Sequence, residues 1–293
     1  MKRSSRSTHL RRPTLAFPTA RASLAAALFA ALPLLAGCAA EDYRVAAVEN
    51  RCSLHLDGRD DFVDVGRIGE KHPLLLAGSP FTVAAWFRQE PGGEPYERII
   101  DKSDDVLGHN GWALAADPGE RRVHFYVHDG RRGGDFISRA GAFRPGAWHY
   151  VTAVARATRL EIYLDGKRDR SASYEDGGFA LPSPRPTSAR IGNWNHQSGR
   201  SFRGWLDEIS VWKTDLPPAA IGVLAAARGR ADLRRDGSAY QASGDLVAWW
   251  RMEAGPDPAG AIEITDLVST IGGRLMPDAA SGNAPRVDCE TIP

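Results

Sequence analysis

The stretch that most limits what this chain can become is residues 148–167, WHYVTAVARATRLEIYLDGK. Its first part is rich in β-branched and aromatic residues, Ala157, Thr158 and Arg159 interrupt it, and Leu160, Ile162 and Leu164 then alternate with Glu161, Tyr163 and Asp165. A period of two puts the three aliphatic side chains on one sheet face and the polar ones on the other. Asp165-Gly166 suits a two-residue turn with positive φ, so a hairpin is expected, with a further strand over residues 167–174 folding back beside it.

The rest of the chain repeats this idiom. Short alternating runs are expected as strands at residues 52–57, 62–65, 81–88, 99–102, 111–116, 122–128, 189–192, 202–213, 246–253 and 286–289, separated by Gly, Asp and Pro turns. Pro182, Pro184 and Pro186 mark a long loop, and a single short helix is expected from Pro217 to about Arg228, with Ile221 and Leu224 as its apolar positions. Many short strands and almost no helix predict an all-β, antiparallel sandwich of the jelly-roll kind with one short helix. With 293 residues and 43% hydrophobic composition, the chain can bury a core without help.

The net charge of +1 misleads. Residues 1–37 hold Lys2, Arg3, Arg6, Arg11, Arg12 and Arg21 and no acid, so the remainder has 31 basic against 36 acidic side chains. A mildly acidic body gives no electrostatic reason to expect nucleic acid as a partner. Residues 22–37 are apolar behind that basic segment but short for a membrane span and broken by Pro33, which reads as a secretory signal over residues 1–37. Leu35-Ala36-Gly37-Cys38 resembles a bacterial lipobox. The resemblance implies cleavage before Cys38 and diacylglycerol on its sulfur; ordinary cleavage near Ala39-Ala40 is the alternative. Residues 38–50 then form a tether, and a cell-envelope location follows, with Ala39 after the cysteine pointing to the outer rather than the inner membrane. With Cys38 lipidated, Cys52 and Cys289 remain in an oxidising compartment, an even pair expected to form a disulfide between the terminal strands.

Six motifs in order, residues 56–64 (LDGRDDFVD), 81–86 (FTVAAW), 148–151 (WHYV), 164–166 (LDG), 191–192 (IG) and 204–209 (GWLDEI), resemble the laminin-G-like jellyroll domains of the concanavalin A-like lectin and glucanase superfamily. The likeness covers roughly residues 51–230, within a domain taken as 51–293. It implies the fold; the function is open, since this fold hosts lectins, adhesion modules, glycosidases, lyases and spacers. It also implies a structural Ca²⁺ held by Asp57, Asp60 and Asp207, a hard-oxygen donor set from two distant segments. The alternative is a hydrogen-bonded turn of solvated acids.

Glycosidases of the superfamily carry their carboxylates as Glu-x-Asp-x-Glu on one strand, and no such run occurs here. Glu161 and Asp165 are the nearest imitation, and adjacent Asp207 and Glu208 are expected on opposite faces of a strand. His124 and His128 on a strand lie roughly 13 Å apart, too far to share an ion. The expectation is therefore a protein without enzymatic activity that binds a glycan or a cell-surface protein, with a carbohydrate-active enzyme or a purely structural lipoprotein as alternatives. Eight tryptophans are present, and most are expected in the core. Trp194 differs, lying in the polar run Asn193-Trp194-Asn195-His196 after a strand, where an indole flanked by amides can stack on a sugar; Trp112 and Tyr126 are candidates to line the sheet beside it. Trp194 above about half exposed beside an open groove favours binding, and burial favours a structural spacer.

Overall fold

The computed structural model describes residues 48–104, 109–195, 199–253, 255–256, 262–264, 266–268, 273–276, 286–288 and 292. Cys38, His196 and Cys289 lie outside the described residues, as do the signal segment and most of the tether.

In chain order the strands are β1 (Ser53–Asp57), β2 (Phe62–Ile68), β3 (Phe81–Gln89), β4 (Glu97–Asp104), β5 (Asn110–Asp117), β6 (Arg122–Asp129), β7 (Gly133–Ile137), β8 (His149–Ala155), β9 (Arg159–Leu164), β10 (Lys167–Ser173), β11 (Thr187–Ile191), β12 (Arg203–Trp212), β13 (Leu246–Trp250), β14 (Gly255–Pro256), β15 (Ile262–Ile264), β16 (Gly273–Met276) and β17 (Arg286–Asp288). Among the described residues, two helices, α1 (Tyr174–Gly177) and α2 (Pro218–Ala226), complete the set with two short 3-10 turns. All strand pairings among the described residues are antiparallel. One sheet runs β10-β9-β8-β3-β12-β1-β17, with β13 also on β12; the other runs β14-β15-β16-β2-β11-β4-β5-β6-β7. The sandwich read from the sequence is the fold observed.

The central hairpin forms as its pattern demands. β8 pairs with β9 and β9 with β10, and the second turn is two residues long, Asp165 at φ 50° and Gly166 at φ 78°. Two positive φ values make the turn whose twist matches that of the strands it joins. Leu160, Ile162 and Leu164 enter the core between the sheets, with Phe81, Trp112, Phe125 and Trp250 among its large members. The edge strand β10 carries Lys167, Arg168 and Arg170, all exposed, which disfavours pairing with another chain.

The opposite face of that hairpin is a departure from expectation. Glu161 and Tyr163 are each only 1% exposed, because a second apolar layer covers the outer face of the eight-stranded sheet. Tyr163, Tyr150, Trp86, Trp212 and Trp249 pack there against Ile221 and Leu224 of α2 and against Leu233 and Tyr240 of the following segment. Glu161 stays ionised in this setting through Arg156 Nε at 2.6 Å, Arg159 Nε at 2.8 Å and the Tyr163 hydroxyl at 2.9 Å. Burial alone would raise its carboxyl, but these donors hold it down at about 2. Glu161 is thus a structural hub. Asp165, on the same face four positions along the strand, lies roughly 13 Å away, too far for a double-displacement pair.

Candidate functional site

Two rows of side chains cross the outer face of the nine-stranded sheet. Strand register sets Arg190, Asp101, Ala113, Tyr126 and Asp135 side by side from β11 to β7, and Arg98, Ala115 and His124 beside them. Their strand neighbours Ile191, Ile100, Leu114, Phe125 and Phe136 point the other way, into the core. The small residues of β5 thus lie between charged side chains of β4 and aromatic ones of β6. Asp101 is fully buried, and its Oδ2 lies 2.9 Å from Arg98 Nε.

Over this face runs a stack of rings and guanidinium. The Arg200 guanidinium carbon lies 4.1 Å from the Trp194 ring centre and 5.5 Å from that of Tyr96, and the Tyr96 ring centre is 4.5 Å from that of His124. The Tyr96 and His124 rings are tilted by 60°, and the guanidinium lies over Trp194, so the row is a cation–π contact followed by a tilted ring pair. Tyr96 sits at φ 64° and Arg200 at φ 56°, and His109, whose ring centre is 5.6 Å from that of His128, sits at φ 49°. Bulky residues held in the left-handed region cost about 1–3 kcal/mol each, and such strain clusters where function requires a fixed geometry.

His124 is 3% exposed, and neither ring nitrogen has a hydrogen-bond partner among the described residues. Burial pushes its pKa below 6.5, against the pull of Asp135 and Asp117, so the ring is neutral at physiological pH. A buried imidazole with two unspent nitrogens is a polar group that its surroundings leave uncompensated.

The residues nominated from sequence divide. Trp194 is partly buried beneath Arg200, short of the half exposure set for an open binding platform, so it belongs to the cluster as a covered ring. Tyr126 lies on the face as expected and stacks on His128 at 6.1 Å. Trp112 does not: it is fully buried in the inter-sheet core against Phe81, because its position on β5 has the opposite parity to Ala113. Asn193 and Asn195 are 3% and 5% exposed and their amides shape the loop. Asn193 Nδ2 donates to Ser201 Oγ at 3.0 Å, and Asn195 Nδ2 donates to the Ser188 and Ser103 carbonyls at 2.7 and 3.0 Å. Arg190 Nη1, donating to the Trp194 carbonyl at 3.0 Å, fixes the same loop from β11. Sequence reading missed Tyr96, which follows Pro95 in a turn whose only signal was its glycines and proline.

The proposed metal ligands divide as well. Asp57, Asp60 and Asp61 offer oxygens within 4.8 Å of one another, a donor set that fits Ca²⁺. Asp207 does not join them. Asp57 pairs with Arg203 and Leu54 with Leu206, which puts Asp207 four positions along β12 from the cluster, roughly 13 Å away.

Asp207 and Glu208 overturn a second expectation, because they do converge. Asp207 is paired with Trp86 but Ser210 with Ala84, so three steps of β12 match two of β3, and Glu208 at φ 50° is the extra residue of the bulge. The bulge brings both carboxylates to one amide: Asn50 Nδ2 donates to Asp207 Oδ2 at 2.9 Å and to Glu208 Oε1 at 2.8 Å. Arg251 Nε at 2.9 Å and Trp249 Nε1 at 2.6 Å complete Glu208. Burial raises both carboxyls, Glu208 to about 7, and for Asp207 the adjacent Glu208 charge adds to it. The two carboxyls therefore resist ionisation together, each raised above its ordinary range.

A crystal structure of a candidate carbohydrate binding protein from Bacteroides ovatus is similar with a TM-score of 0.51 and 15% identity, over 80% of this chain and 60% of that one. The chain therefore spans 60% of the length of that neighbour. The CBM40 of the Ruminococcus gnavus IT-sialidase is similar at 11% identity and a TM-score of 0.49, over 61% of this chain and 99% of that one. The native heptameric SAP-like pentraxin from Limulus polyphemus is similar at 12% identity and a TM-score of 0.43, over 61% of this chain and 84% of that one. Identity this low speaks to the fold alone. Among curated proteins none matches the chain. The laminin G type of family described as Concanavalin A-like lectin/glucanases superfamily matches residues 57–222, more than half of the sequence. The chain belongs to that superfamily.

Proposed function

We propose that this protein is a non-catalytic carbohydrate-binding module, displayed on a bacterial cell envelope through lipid on Cys38, that takes a glycan on the outer face of its nine-stranded sheet. The observation that carries the reading is the stack of Trp194, Arg200, Tyr96 and His124, with Tyr96 and Arg200 both held at positive φ. The Bacteroides ovatus neighbour supplies the ligand class to be tested. Carboxylates that could have served catalysis are committed elsewhere, Glu161 to arginines and Asp207 with Glu208 to Asn50 and Arg251. Asp57, Asp60 and Asp61 would hold a structural Ca²⁺ beside β1, neutralising three carboxylates that otherwise repel.

The test is a glycan array probed with the purified chain, beside Trp194→Ala and Tyr96→Ala and with calcium or chelator. Binding that both substitutions weaken at least about tenfold supports the reading. An array left silent by folded protein would shift it to a protein ligand, and turnover of any glycan would reinstate an enzyme. Loss of thermal stability with chelator supports the metal; an unchanged melting curve removes it.

A further inference from the structure

The turn that brings Tyr96 to His124 crosses between the sheets, from Gln89 at the end of β3 to Glu97 at the start of β4. Arg98 lies on the outer face, so Glu97 before it has the parity of the core, and it is 1% exposed. Its carboxylate serves three segments at once. Oε2 accepts the Gln89 Nε2–H at 2.6 Å and the Arg203 N–H of β12 at 3.1 Å, and Oε1 accepts the Glu94 N–H of the turn at 3.0 Å. One buried group thus fastens β3, β12 and the turn that leaves them. Gly93 makes room for it, since a Cβ there would lie 1.7 Å from Oε1.

The same turn is tied to the row of rings. Glu94 Oε2 accepts the Arg200 N–H at 3.4 Å, and the Arg98 N–H donates to the Arg200 carbonyl at 2.9 Å, so Arg200 is held by residues on both sides of Tyr96 and Glu97. Tyr96 and Arg200 both sit at positive φ, a conformation that persists only where the surroundings over-determine it. All three groups that reach the Glu97 carboxyl are N–H donors, the arrangement an ionised carboxylate satisfies. A proton on Oε2 would meet the Gln89 amide hydrogen and force that amide over, making an acceptor of Gln89 Oε1, which is buried and takes no hydrogen bond among the described residues. The charged groups facing Glu97 are otherwise committed: Arg203 Nε lies 2.8 Å from Glu90 Oε2, and the Glu94 carboxylate is on Arg200. Burial raises the Glu97 carboxyl from 4.5 to about 7, against its hydrogen bonds and the Arg203 charge.

We propose that Glu97 is the positioning residue of the glycan face: from inside the sandwich its carboxylate sets the turn that presents Tyr96 and holds Arg200 over Trp194. The inference rests on the reading of that face as a glycan site. Glu97 itself touches no ligand and acts through Tyr96 and Arg200. Glycan affinity therefore follows its ionisation, full above pH of about 7 and falling as pH drops below it.

The test has a ligand-free arm and a binding arm, both on the full chain. The Tyr96 ring centre is 4.5 Å from that of His124, so its ring current displaces the His124 Cε1 proton in the NMR spectrum, and Tyr96→Ala marks the position without it. At pH 8, Glu97→Gln, and Gly93→Ala by pushing the carboxylate aside, are expected to move that proton most of the way to the Tyr96→Ala position. The indole resonances of Trp212 and Trp249, on the far sheet, should stay in place and report the fold. In the binding arm, wild-type affinity for the glycan selected on the array should fall about fivefold from pH 8 to pH 6, while Glu97→Gln binds about fivefold weaker at pH 8 and shows no such fall. A His124 proton unmoved in both folded variants, or a Glu97→Gln pH profile equal to that of the wild type, would overturn the proposal. A silent array with a displaced His124 proton would instead sink the glycan reading and keep Glu97 as the residue that sets Tyr96.

Discussion

At the scale of single residues, Glu208 shows how one backbone angle reassigns chemistry. In a regular strand it would face away from Asp207; at φ 50° it shares the Asn50 amide with it, with Arg251 as the cation beside them. Because Glu208 is raised from 4.5 to about 7, the folded protein holds more protons than the unfolded chain across that window. Stability from this pair is therefore full below about 4.5 and lost as pH rises through about 7. Asp207→Asn keeps a partner for Asn50 and removes one charge. Its stability relative to the wild type should increase from pH 5 to pH 8, read as the difference in urea midpoints. A difference that is flat with pH would mean that the pair does not titrate in this range. Taking differences matters, since the lowered pKa of His124 pulls the wild-type curve the other way at mildly acidic pH.

At the scale of elements, β12 is the strand on which most pairings meet. It pairs with β3 on one side and with β1 then β13 on the other. That is possible only where its backbone comes very close to β3. Gly204 sits at φ 134°, and a Cβ there would lie 2.2 Å from the Arg88 carbonyl oxygen. Gly204→Ala should cost about 3 kcal/mol through combined strain and overpacking, measured by denaturant unfolding. A loss under about 1 kcal/mol would show that β3 and β12 can part cheaply there. The hairpin from β8 to β10 was legible because its alternation and Asp-Gly pair are local signals. The bulge was not, because nothing in the identity of Glu208 asks for positive φ; the twist and pairing of three neighbouring strands impose it. The same division runs through the candidate site. Trp194 and Tyr126 were readable as aromatics in a loop and on a strand, whereas Tyr96 comes to His124 only once β4 and β6 flank β5.

At the scale of the whole molecule, the eight-stranded sheet is buried on both faces, and β13 carries the sign of it. Adjacent Trp249 and Trp250 are both fully buried, the first in the outer layer with α2 and the second between the sheets. A continuous apolar strand of this kind, LVAWW, is what two-sided burial requires. The first and last described strands, β1 and β17, lie side by side. Ser53 of β1 faces Asp288 of β17, a register that supports the proposed bridge between Cys52 and Cys289. Such a bridge closes a loop of more than 100 residues and should stabilise by about 4 kcal/mol in the chain-entropy account. Cys52→Ser is expected to lower the unfolding free energy by an amount of that order, and non-reducing peptide mass spectrometry should find the two cysteines joined. Two free thiols would refute it.

What the sequence determined alone was the repertoire of parts: period-two strands, their turns, one helix with two inward apolar positions, and membership of a superfamily written in six short motifs. These follow from side-chain alternation and turn stereochemistry, which act over a few residues. What the tertiary structure decided was which faces are covered and which distant groups meet. It sent Trp112 into the core by strand parity, turned Glu208 toward Asp207 through a bulge, and separated Asp207 from Asp57 along β12. Those outcomes depend on register and on layers packed from segments far apart in the chain, and no local pattern encodes them.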